Sequence, residues 1–196
     1  METIFTMSPL EWIIFWFSIG AYGPLVLGAV KEKEDKSQVF TTWFLYFLLD
    51  INTMFSSNRL GSSSDKILFG FTIGSFVMMS ILFFQKRIAW TWLETSVTLL
   101  VLICLVAWHY SSHLVLRLGI LSECIVGIYL IIKTFKNPVV KYNLTGYILF
   151  LITSILAMIN AKDWSIEEMG YPLSEAILCI VTILPLLIKW WKYNKK

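Results

Sequence analysis

The chain has 196 residues, 57% of them hydrophobic and only 15% charged, with a mean hydropathy of +0.71. Soluble domains run near about 25% charged, so this composition excludes a water-soluble globule and points to an all-α integral membrane protein. Its length allows one domain, and a net charge of +3, with the basic residues set between apolar segments, gives no stripe for nucleic acid.

A bilayer core takes about 20 apolar residues of helix, and reading from charge to charge predicts seven spans. The first covers 12–30 and carries Gly23 and Pro24. Glu2 and the lack of Lys or Arg before it do not fit a cleaved signal peptide, so this run is expected to stay in the mature chain. The second, 37–57, is interrupted by Asp50, with Asn52 close behind. The third, 67–85, contains GFTIG, in which Gly70 and Gly74 predict close helix packing. The fourth, 88–108, holds Glu94 after Trp90 and Trp92.

His109 and His113 follow at metal-binding spacing, but with no third ligand nearby a solvated loop and no metal are expected. The fifth span, 114–132, contains Arg117 and Glu123; the sixth, 143–161, ends at Asn160 and Ala161. Ser165 and Glu168 in DWSIEE read as a capping box for a short helix leading into Pro172. The seventh span, 171–188, has Glu175 and Pro185 inside it. Cys104, Cys124 and Cys179 lie in apolar runs without a CxxC and read as small buried hydrophobes.

Of the 16 Lys and Arg residues, twelve fall in alternate connections and the C-terminal tail, and four (Arg59, Lys66, Arg117, Lys162) in the others. The positive-inside rule therefore places the N-terminus outside and the C-terminus in the cytoplasm of a cell membrane, as in a bacterial inner membrane. Tryptophans near span ends read as interfacial anchors.

Residues 18–56 superpose without a gap on 122–160 at an offset of 104. Ser18 meets Ser122, Gly23 meets Gly127, Thr41 meets Thr145, Met54 meets Met158, and Trp43 meets Tyr147. In both copies a span ends, a Lys-containing loop of the same length follows, and a second span begins. The expected layout is a parallel 3+1+3 repeat: a first triple-helix unit over 12–85, a linker helix over 88–108, and a second unit over 114–188.

This layout is similar to the PQ-loop family, which includes the SWEET sugar transporters. Gly23-Pro24-Leu25 sits where that family carries a Pro-Gln pair, Pro24 matching and Leu25 replacing the glutamine. Gly127-Ile128-Tyr129 keeps only the glycine in the second half. FKNP (135–138) and the loop KDWSIEEMGYP (162–172) also look like small bacterial membrane proteins of this type. The resemblance implies alternating access between two three-helix halves, moving a small polar solute, with Gly23 and Pro24 as the hinge.

Ionisable residues at membrane depth are costly and default to functional roles. Asp50 lies about 20 Å and Glu123 about 14 Å into their spans, at 1.5 Å per residue. They are candidates to bind the solute or a proton, with Asn52, Asn160 and Arg117 beside them. The competing reading pairs Asp50 with Arg117 as a lock in a non-transporting receptor, scaffold or assembly factor. No HExxH, GxSxG or phosphate loop is present, so neither an enzyme nor a cofactor is expected. Beyond the lipid bilayer, self-association into a homo-oligomer is compatible with the sequence.

Overall fold

The computed structural model describes residues 7–31, 39–88, 90, 92–108, 110–136 and 140–194. Seven helices and no strand occur among them: α1 (Pro9–Lys31), α2 (Phe40–Leu60), α3 (Asp65–Phe84), α4 (Trp92–Trp108), α5 (Ser112–Lys136), α6 (Val140–Asn160) and α7 (Ile166–Asn194).

Five of these, α1, α3, α5, α6 and α7, are long and apolar enough to cross a membrane. The expectation of seven spans is met to that extent. Two helices fall short for different reasons. α4 has only 17 residues, starting at Trp92 rather than at Ile88. α2 has the length but buries Thr41, Thr42, Asp50, Asn52, Thr53, Ser56 and Ser57. A helix shielded by its neighbours need not be apolar, because protein rather than lipid solvates its polar side chains.

The lateral surface is rich in exposed Ile, Leu, Val and Phe, and exposed tryptophans, among them Trp12, Trp90, Trp92, Trp190 and Trp191, sit near the helix ends. That surface suits a bilayer with aromatic belts.

Helix α3 packs between α1 and α2, and α7 packs between α5 and α6. The two sets are joined by α1 against α6 and by α2 against α5, while α4 leans on α5 and α2. Gly70 and Gly74 set the α1–α3 approach as expected. A Cβ at Gly70 would collide with Ser18 Oγ, and one at Gly74 with the Tyr22 ring. Likewise Gly119 on α5 receives Thr53 of α2, where an added Cβ would stand 2.5 Å from Thr53 Oγ1. Small residues at these crossings bring the backbones close enough for dispersion to hold the bundle.

α7 begins five residues before the expected span, and 166–171 is its first part rather than a separate short helix. The capping box is half formed: Ser165 Oγ accepts from Glu168 N at 3.3 Å, but Ser165 N donates to Asp163 Oδ1 at 2.8 Å instead of to Glu168. Hydrogen bonds from the Ser165 side chain and backbone N–H hold the Asp163 carboxyl below the usual carboxylate range.

Pro172 inside α7 has no N–H to give the Glu168 carbonyl. Ser64 Oγ takes that place at 2.6 Å, and Ser62 Oγ donates to the Glu167 carbonyl at 2.7 Å. The Glu168 carboxylate accepts from Ser63 N and Ser63 Oγ and from Lys162 N. Together these bonds clasp the α2–α3 connection to the start of α7. At the opposite end, Gln85 and Arg87 both donate to the Ala29 carbonyl, at 3.1 and 3.2 Å, and close the C-terminus of α1.

Candidate functional site

The two helix sets meet around a cavity of about 30 Å³, lined by residues from every helix but α4. Tyr22 comes from α1; Trp43, Tyr46 and Asp50 from α2; Phe71 from α3. Glu123 and Leu130 come from α5, Tyr147 and Phe150 from α6, and Tyr171 and Glu175 from α7. The helical period explains the selection: Trp43, Tyr46 and Asp50 fall at i, i+3, i+7, and Tyr171 and Glu175 at i, i+4, so each set shares one helix face.

Asp50 is 2% exposed and is held by two hydroxyls. Ser75 Oγ donates to Oδ2 at 2.9 Å, and Tyr171 OH donates to Oδ1 at 3.2 Å. Ser75 has a single hydroxyl proton, and the Phe71 carbonyl competes for it at 2.8 Å. The carboxyl is thus fixed in direction by α3 and α7, with no cation on either oxygen among the described residues.

Glu123 is 3% exposed, and its Oε2 has no hydrogen-bond partner among the described residues. Glu175 is half-buried and accepts a weak bond from Cys179 Sγ at 3.5 Å. The three carboxyl groups share one small cavity with four tyrosines and no Lys, Arg or His. Three negative charges in so confined a place are sustained only if positive charge joins them, as protons or as a bound cation.

No family model, curated protein or solved structure matches the chain.

The remaining candidates from the sequence lie elsewhere. Arg117 does not pair with Asp50: it is exposed and lies 3.5 Å from Glu167, which His113 Nδ1 also meets at 3.0 Å. Asn52 is buried but donates to the Leu48 carbonyl of its own helix at 2.9 Å, an internal bond that does not reach the cavity. Asn160 is the half-buried last residue of α6 and is not in the cavity wall. Gly23 and Pro24 lie inside an unbroken α1, Gly23 exposed and Pro24 half-buried. Glu94 lies on α4, its side chain outside the described residues, as is His109.

Sequence reasoning missed Glu175 as a partner of Asp50 and Glu123, reading it only as a weakness of the last span. It also missed the aromatic wall. A usable signal was present: Tyr171 and Glu175 repeat Phe71 and Ser75 at an offset of 100, beside Gly70 and Gly170.

Proposed function

We propose that this is a seven-span membrane transporter or facilitator for a small polar solute, working by alternating access between two parallel three-helix halves joined by α4. The observation that carries the reading is the ionisable cavity at the junction of the halves, where such transporters place their binding sites.

The helix pairings support the repeat. The first helix of each half packs on the third and the third on the second, while the first of one half packs on the second of the other. Phe71 and Tyr171, equivalent at offset 100, meet near the centre with ring centroids 6.2 Å apart. The carboxylates alternate between the halves: Asp50 and Ser75 in the first correspond to Ser154 and Glu175 in the second. In this reading the N-terminus is outside and the C-terminus cytoplasmic, following the Lys and Arg bias.

A scaffold that merely retains the fold would seal Asp50 against Arg117 and leave no cavity. Asp50 instead lines the cavity, and Arg117 pairs at the bundle end.

The test is sidedness of access. Leu130→Cys is placed in the cavity wall of a background with Cys104, Cys124 and Cys179 replaced by Ser, reconstituted in liposomes of known orientation. Transport predicts labelling by a membrane-impermeant thiol reagent from each face in turn. Labelling from neither face, or from one only, would leave the scaffold reading in its place.

A further inference from the structure

The cavity wall has a composition that selects its ligand. Seven of its eleven residues are aromatic and three are acidic, while none is basic or an amide. An anion would meet three carboxyl groups and no basic one, and a sugar ring is too large for a space of about 30 Å³. A cation finds carboxylate oxygens together with aromatic faces, the two groups that attract ammonium ions in a desolvated site. Among the described residues no group of three His, Cys, Asp or Glu side chains is arranged to hold a metal ion.

The unpartnered Glu123 Oε2 is the second observation. Glu123 is 3% exposed, and a buried carboxyl oxygen without a donor loses its hydration for nothing in return, unless the site is completed by a ligand. The space of about 30 Å³ exceeds the roughly 10–15 Å³ needed for one water-sized particle. It suits a cationic head of one heavy atom and excludes a bulky one in this closed form.

We propose that the cavity binds one small ammonium-type cation, ammonium itself or the head of a primary amine, between Glu123 and Glu175 and against the tyrosine rings, in exchange for a proton. The proposal takes its route into the membrane from the transport reading, but the binding itself stands apart from it. The cation brings one positive charge and the proton held at Glu123 leaves to water, so the charge of the cavity is unchanged.

Among the described residues, the titratable groups around Glu123 are carboxyls, phenols and thiols. Tyr22 stands on α1, Tyr46 and Asp50 on α2, Tyr147 on α6, and Tyr171 and Glu175 on α7; α3 offers the neutral Ser75 and Phe71. The thiols of Cys124 and Cys179 lie beside them on α5 and α7. None of these supplies a positive charge, which leaves that role to the cation or the proton.

The test is calorimetric titration of the purified protein with methylammonium chloride, in two buffers of unlike ionisation enthalpy. The expected result is one saturable site, with a proton released per cation bound. Glu123→Gln should weaken binding by at least about tenfold, the loss of a charge-assisted contact. Glu175→Gln serves as the second variant should Glu123→Gln not fold. Absence of saturable heat from the wild type would overturn the proposal. So would equal competition by potassium, or unchanged affinity in the variants. Access from both faces without methylammonium binding would leave transport standing and remove the cation; binding without alternating access would do the reverse.

Discussion

The Tyr171 hydroxyl donates to Asp50 Oδ1 at 3.2 Å, tying α7 to α2. Both residues are 2% exposed, so bulk water has little access to the bond. Tyr171→Phe leaves Asp50 with the hydroxyl it shares with the Phe71 carbonyl. The expected cost is about 1–3 kcal/mol, the range for leaving a buried polar group short of a partner. It should be read as a lower midpoint in thermal unfolding in detergent. An unchanged midpoint would mean that the bond contributes nothing to the bundle.

Glu123→Gln should move stability the other way. A buried carboxyl oxygen without a partner is a cost to the fold, and functional groups are commonly retained at such a cost. In the absence of any amine the variant is expected to equal or exceed the wild type, by up to about 1 kcal/mol. A clear drop in its unfolding midpoint would instead make Glu123 a structural partner.

The α1–α3 crossing tolerates no added carbon. Gly74→Ala drives a methyl into the Tyr22 ring and should destabilise by about 1–3 kcal/mol through overpacking. Tyr22→Ala in the same chain should recover part of the loss, since the colliding ring is then gone. Gly70→Ala meets both Ser18 and the Phe15 carbonyl, so Ser18→Ala alone should recover less. Equal recovery in the two pairs would contradict the geometry.

Arg117→Ala should be nearly silent. Its guanidinium is exposed and 3.5 Å from Glu167, and exposed pairs of this kind contribute about 0–1 kcal/mol. Methylammonium affinity should not change. A large effect on binding would place Arg117 in the ligand's path.

The membrane class, the five apolar helices and the glycine crossing were legible because each depends on local composition or spacing. Asp50 and Glu123 stood out for the same reason: carboxyls in apolar runs are conspicuous wherever they face. Their partners were not legible. Depth along a span follows from counting residues, but a helix turns about 100° per residue, so depth leaves the facing direction open. Arg117 therefore looked near Asp50, although it points to Glu167. Glu175 and the tyrosines were hidden differently: aromatics serve lipid-facing and internal surfaces alike, and only the packing of the helices on one another assigns them inward. α7 ran past its expected start because Pro172 suggested a break, whereas Ser64 fills the place of the bond that proline removes.

The clasp made by Ser62, Ser63 and Ser64 on Glu167 and Glu168 has a consequence for how this end of the bundle responds to its medium. It consists of hydroxyls and amide N–H groups on carbonyls and one carboxylate, with no guanidinium or ammonium partner on the Glu168 side chain. Mobile ions screen pairs of opposite charge, and they have little hold on short dipolar bonds that are partly buried. A clasp of this kind would keep the same strength in fresh water and in brine, and would yield instead to solutes that compete for hydrogen bonds.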